Sequence, residues 1–305
     1  MMSNLLSGQQ IFAESVPKFV DTEWLAENIE KENIKVIDAT IIFANPEGEF
    51  IESGYDLYLE RHIPGAIFAD LIAANVQDAP IPFTYPGEEQ MKTFIASLGI
   101  QDSDYVVLYD SGPQYDVDFK ADSWASRLAW QLEAAGLKQV SVLQGGINKW
   151  LEEERPVETG DNQPESAPEL SLQEVADKFV DQSQVIEALE DDRYLIIDVL
   201  DEAQFSGEVA PFGEDRAGHI PGAKNIFYGS LTDESGDLLD ESMLKERFDE
   251  IGALDEDKHV IVYCGFGVAA SYVARAIESL GQDNVSVYDG SLQEWTENHD
   301  LPLEK

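Results

Sequence analysis

The sequence predicts an α/β protein of two tandem domains, each a mainly parallel sheet with helices on both faces. Three observations carry this. Short apolar runs alternate with helix-compatible stretches, landmarks of the first half return in order in the second, and a polar stretch separates the halves. Strands alternating with helices imply right-handed crossovers and a sheet covered on both sides.

The apolar runs 34–38, 105–109 and 140–143 read as buried parallel strands, with counterparts at 194–199, 259–263 and 285–288. Helices are expected between them at 22–31, 87–98, 123–135, 175–188, 242–251 and 268–280. Thr22, followed by Leu25 and Ala26, reads as an N-cap. Gly99, Gly136 and Gly281 stand where three of these helices should stop. Residues 159–170 are polar and aperiodic, so they read as a linker between a first domain, 1–158, and a second, 171–305.

The repeat is the strongest organisational signal. Arg61-His62-Ile63-Pro64-Gly65-Ala66 returns as Gly218-His219-Ile220-Pro221-Gly222-Ala223. Lys35-Val36-Ile37-Asp38 matches Leu195-Ile196-Ile197-Asp198, and Val107-Leu108-Tyr109-Asp110 matches Ile261-Val262-Tyr263-Cys264. Val142-Leu143-Gln144-Gly145, with Trp150 after it, matches Val287-Tyr288-Asp289-Gly290 and Trp295. Several matches in one order imply duplication.

Composition limits the partners. With 61 Asp+Glu against 19 Lys+Arg in 305 residues, the formal net charge is −42. Such a surface repels nucleic acid and anionic membranes and suits either solubility in a salty medium or docking of a basic partner. The single cysteine excludes an internal disulfide. The N-terminal stretch lacks a basic start and a long apolar run, so the expectation is a cytoplasmic protein without a membrane span. No Cys/His cluster has metal-ligand spacing and no phosphate-binding glycine fingerprint is present, so neither metal nor cofactor is expected.

Cys264 ends an apolar strand and is followed by Gly265-Phe266-Gly267-Val268-Ala269-Ala270, where a helix begins. A thiol there faces the positive end of the helix dipole, and the glycines let backbone N–H groups converge on it. Such a nest stabilises a thiolate or a persulfide and supplies a nucleophile without a neighbouring base. The bland alternative is a buried structural cysteine. The matching position in the first copy is Asp110, which cannot carry sulfur.

These residues resemble the tandem-domain rhodanese family. The run Cys264 to Ala270 is similar to the C-G-S-G-V-T-A loop of 3-mercaptopyruvate sulfurtransferases, and less so to the C-R-K-G-V-T-A loop of thiosulfate sulfurtransferases. Both His-Ile-Pro-Gly-Ala elements, Asp110 in place of a cysteine, and Val20-Asp21-Thr22-Glu23-Trp24-Leu25-Ala26 fit the same family. The resemblance implies an inactive first half and a catalytic second half. It implies a Cys264 persulfide, a small anionic sulfur donor, and a thiol or cyanide acceptor. It leaves the oligomeric state open. His62 and His219 would tie the turns together.

Departures from the pattern leave the donor open between 3-mercaptopyruvate and thiosulfate. Gly265 and Phe266 are neutral where thiosulfate enzymes carry positive charge. Phe266 and Ala269 replace a serine and a threonine, each worth roughly 0.5–1.5 kcal/mol as a hydrogen bond. The first of two carboxylate-binding arginines would fall near Gln204 and is absent. Arg216 remains as the candidate substrate ligand, with a surface ion pair to Asp215 or Glu214 as its alternative. Asp70 is the candidate acidic partner from the first domain, with a helix N-cap as its alternative. A cysteine phosphatase would need arginine where Ala270 stands. A non-catalytic sulfur-relay or binding module with an acidic docking surface is the other reading.

Overall fold

The computed structural model describes residues 16–43, 51–112, 121–164 and 169–305. The first half contains β1 (Phe19–Val20), α1 (Thr22–Asn28), β2 (Ile34–Asp38), β3 (Ile41–Phe43), β4 (Ile51–Ser53), α2 (Tyr55–Glu60), β5 (Ile67–Phe68) and α3 (Leu71–Ala74). It continues with α4 (Glu88–Ser97), β6 (Tyr105–Tyr109), α5 (Ser123–Ala134), β7 (Val140–Leu143) and α6 (Gly146–Glu152). The second half contains β8 (Phe179–Val180), α7 (Gln182–Ala188), β9 (Tyr194–Asp198), α8 (Glu202–Phe205), β10 (Lys224–Asn225) and α9 (Glu241–Ile251). It ends with β11 (His259–Tyr263), α10 (Val268–Ser279), β12 (Val285–Tyr288) and α11 (Ser291–Glu297).

Both sheets have five parallel strands and the same topology. The first runs β1-β7-β6-β2-β5, and the second, read in the matching direction, β8-β12-β11-β9-β10. Their register repeats too: Asp38 pairs with Tyr109 as Asp198 pairs with Tyr263. Alternation along a strand feeds two cores. Val106 and Leu108 enter the layer under α4 and α5, while Tyr105, Val107 and Tyr109 enter the opposite layer with Leu25, Ile147 and Trp150. Helices therefore cover both faces of the sheet.

Local chemistry sets several boundaries differently from the sequence expectations. Asp21, not Thr22, caps α1, its carboxylate accepting Trp24 N–H; a carboxylate suits an N-terminus better than a hydroxyl does. The helix expected over 175–188 shrinks to α7, because Phe179–Val180 form an edge strand and Asp181 then starts the helix with a capping box.

The halves meet along α5 and α10, which lie in contact between the two sheets. Both helices are buried almost all round. Three cations share two carboxylates there. Lys18 Nζ lies 2.8 Å from Glu133 and 2.7 Å from Glu278, Lys178 bridges the same pair, and Arg275 Nη1 lies 2.8 Å from Glu133. Burial pushes the Glu133 carboxyl up, but Arg275, Lys18 and Lys178 outweigh it and hold Glu133 at about 2. The repeat shows here as well. Trp130 Nε1 donates to Lys178 O at 3.0 Å, and Arg275 Nη2, from the matching helix position, donates to Lys18 O at 2.8 Å.

Candidate active site

β11 delivers Cys264 to the C-terminal edge of the second sheet, and α10 leaves from the loop that follows. Open parallel sheets place ligands at this edge. Cys264 is 3% exposed. Its backbone is fixed on both sides: its N–H donates to Ser291 Oγ at 3.2 Å, and its carbonyl accepts Leu292 N–H at 2.9 Å. Gly267 caps α10 with φ +82, a conformation open to glycine. A Cβ there would also lie 2.9 Å from Arg127 Nη1.

The first copy displays what such a nest holds. Asp110 is fully buried, and its carboxylate accepts Gly112 N–H at 2.6 Å and Ala125 N–H at 2.8 Å. Burial pushes this carboxyl up to about 6, while those N–H groups work in the opposite direction. Counting from the aligned residues, Gly112 matches Phe266 and Ala125 matches Ala270. A buried anion thus sits against one helix N-terminus, and the cysteine sits against its twin.

Gly265 to Gly267 form the loop after Cys264, and Val268 to Ala270 begin α10. Phe266 turns toward the first domain, its ring 6.0 Å from Phe83, which lies 5.1 Å from Trp124. Phe212 covers Gly265 so closely that a Cβ there would come within 3.2 Å of its ring. Val268 joins the core of the first domain. The loop mouth is therefore aromatic and is made by both halves.

The two candidate ligands have protein partners of their own. Arg216 Nε donates to Thr296 O at 3.1 Å, and its Nη2 reaches Asn298 O at 3.2 Å and Leu301 O at 3.0 Å. A guanidinium at a helix C-terminus satisfies carbonyls that α11 leaves unpaired. Neither Asp215 nor Glu214 pairs with it among the described ion pairs. Asp70 caps α3, with Oδ1 accepting Ile72 N–H at 3.0 Å and Ala73 N–H at 3.1 Å. Its described contacts do not include Arg216 or the cysteine loop. His62 and His219 hold their turns, each Nδ1 lying 2.8 Å from a carbonyl oxygen, of Tyr58 and Phe205 respectively.

Two residues at the site were not anticipated. Ser291 is fully buried with φ +50, where the first copy has Gly146 at φ +51. A non-glycine residue held there stores strain, and its hydroxyl links Cys264 N–H to Tyr288 O, which it meets at 2.8 Å. The visible signal was a serine opposite a glycine in the repeat. The other is Arg127, from the first domain, which donates to Gly267 O at 3.3 Å and pairs with Asp289 at 2.5 Å. In sequence it is an arginine set among the apolar Trp124, Ala125, Leu128 and Ala129. Among the described residues, no group of His, Cys, Asp and Glu could hold a metal ion, and no helix is long and apolar enough to cross a membrane.

Comparison with known proteins extends this picture. The family model for the Rhodanese-like domain matches residues 21–153 and again 181–298. The chain is 33% identical over 288 residues to the 3-mercaptopyruvate sulfurtransferase of Escherichia coli K12, covering 94% of this chain and 97% of that one. It is 32% identical over 284 residues to the thiosulfate sulfurtransferase of Bos taurus, covering 90% and 91%. The crystal structure of SseA from Escherichia coli, reported with the rhodanese fold of 3-mercaptopyruvate sulfotransferases, matches with TM-score 0.76 and 32% identity over 90% of this chain and 99% of that one.

Proposed function

The chain belongs to the rhodanese family and is a sulfurtransferase, and from that premise we propose that it carries sulfur as a persulfide on Cys264. The second domain, with Cys264 and the loop Gly265 to Ala270, is the catalytic one, and the first, with Asp110, is inactive. The observation that carries this reading is the pair of matching strand ends, one with a carboxylate that accepts Gly112 N–H and Ala125 N–H and the other with a buried free thiol ahead of α10.

The chemistry runs in two displacements. The Cys264 thiolate attacks the transferable sulfur of the donor, and the bond joining that sulfur to the rest of the donor breaks. From thiosulfate the electron pair leaves with sulfite. From 3-mercaptopyruvate it leaves as the enolate of pyruvate, which takes the thiol proton. A thiolate or cyanide then attacks the outer sulfur, the S–S bond breaks, and the Cys264 thiolate is restored. N–H groups at the start of α10 stabilise the charge on sulfur throughout, from a water-poor setting in which oriented dipoles act strongly.

The aromatic mouth and the neutral Gly265 and Phe266 favour 3-mercaptopyruvate, a monoanion, over dianionic thiosulfate. A location in the cytoplasm is part of the same proposal. Initial-rate kinetics with cyanide as acceptor test the scheme. Parallel double-reciprocal lines for donor and acceptor, with thiocyanate as product, are expected. Intersecting lines would require donor and acceptor to meet in one complex and would contradict it.

A further inference from the structure

Arg127 belongs to the first domain, yet its guanidinium faces the cysteine loop of the second. It is fully buried. Its Nη1 donates to Gly267 O at 3.3 Å, and its Nη2 donates to Phe83 O at 2.6 Å and to Asp289 Oδ1 at 2.5 Å. The other oxygen of Asp289 accepts Tyr85 N–H at 3.0 Å. Phe179 lies beneath the guanidinium, its ring centre 4.7 Å from Cζ. One guanidinium thus joins three segments: the loop after Cys264, the Phe83–Tyr85 stretch of the first domain, and the end of β12.

The repeat separates this contact from ordinary interface glue. The position matching Arg127 in the second copy is Tyr272, and the position matching Asp289 in the first is Gln144. On the Asp110 side the equivalent bridge is neutral, with Leu238 N–H donating to Gln144 Oε1 at 2.9 Å. The charged pair with a fully buried guanidinium occurs on the side that carries the cysteine, whereas the Asp110 side has Lys149 and Asp237, both partly exposed. Burying a guanidinium is a poor way to gain stability, since apolar packing of the same volume often serves better. Its geometry suits another task, because a planar fork fixes direction as well as distance.

We propose that Arg127 and Asp289 form a positioning clamp, through which the first domain holds the Cys264 loop in the shape that accepts sulfur. Arg127 does not touch the donor. It pins the Gly267 carbonyl, the last peptide before α10, so that the first N–H groups of α10 keep the direction that Ala125 N–H takes toward Asp110 in the first copy. This gives the inactive domain a role in the reaction, and it rests on the persulfide reading of Cys264.

The test uses the full chain with Arg127→Met, Arg127→Lys and Asp289→Asn. The rate at which Cys264 gains sulfur from 3-mercaptopyruvate or thiosulfate is read by intact mass in a single turnover, beside steady-state kcat and KM. Losing a hydrogen bond from a charged group should slow loading and kcat by about thirtyfold in folded Arg127→Met. KM should stay within about threefold, because the contact is not made to the donor. Arg127→Lys should recover part of the rate, since it keeps the charge but not the fork. Asp289→Asn, which preserves volume, should slow loading in the same direction, and it decides the matter if Arg127→Met does not fold. Wild-type loading rates in folded variants would overturn the clamp, as would a loss confined to KM. If the wild-type chain gains no sulfur from either donor, the persulfide reading falls as well; if it does and the variants match it, the clamp alone falls.

Discussion

Asp110 and Cys264 occupy equivalent positions at the ends of β6 and β11; Asp110 accepts Ala125 N–H from the first turn of α5, and Cys264 stands ahead of the matching helix α10. In one copy the anion is built into the protein as a carboxylate. In the proposed scheme the other copy supplies it as sulfur. Replacing Asp110 with alanine leaves Ala125 N–H without its acceptor, and an unsatisfied buried donor costs about 1–3 kcal/mol. Urea unfolding should show Asp110→Ala less stable by about 2 kcal/mol, with sulfur transfer in the folded protein unchanged. Lost transfer at unchanged stability would mean that the first copy takes a direct part in the chemistry.

The α5–α10 interface should make stability depend on pH through Glu133. Its folded pKa, about 2, lies below the ordinary glutamate value of 4.5. The unfolded chain therefore binds the proton more readily. The stabilisation is fully present above pH 4.5 and is lost as pH falls toward 2. Glu133→Gln leaves Arg275 and Lys18 under-compensated and should cost about 3 kcal/mol at neutral pH. The gap between wild type and Glu133→Gln should narrow as unfolding is measured at successively lower pH. A gap that does not change with pH would show that the charge on Glu133 is not what stabilises the interface.

Arg216→Ala should now behave as a structural variant. It removes contacts to Thr296, Asn298 and Leu301 carbonyls and should lower stability by about 2 kcal/mol. Donor KM should stay within about twofold. A large rise in KM without a change in unfolding would return Arg216 to the site.

Phe266→Lys places a cation where thiosulfate enzymes carry one. A charge-assisted hydrogen bond to the dianion should raise kcat/KM for thiosulfate by about tenfold or more. The same change breaks the contact with Phe83. Comparing the specificity constants of both donors in wild type and variant checks this. An unchanged ratio would remove Phe266 as a determinant of donor choice.

Much of this was legible in sequence because duplication writes each element twice. The strands, the two-domain plan and the cysteine loop follow from apolar runs and glycines, which act locally. What sequence could not reveal depends on contacts between distant segments. Arg216 has the residue type of an anion ligand, but only the path of the chain after α11 shows that backbone carbonyls take its donors. Arg127 and Asp289 are 162 positions apart, and nothing in the pattern of either residue points to the other. Ser291 is marked in sequence only by standing opposite Gly146, and its left-handed backbone and its bond to Cys264 N–H come from the fold. Short edge strands such as β8 were missed because two residues carry no periodicity.

In the proposed scheme Cys264 carries the sulfur. The direct measurement is the intact mass of the protein after incubation with 3-mercaptopyruvate or thiosulfate, with excess donor removed. The mass should rise by one sulfur atom, return to its starting value on adding cyanide, and stay unchanged throughout in Cys264→Ser. A wild-type mass that does not change with either donor, or a gain that persists in Cys264→Ser, would contradict the account.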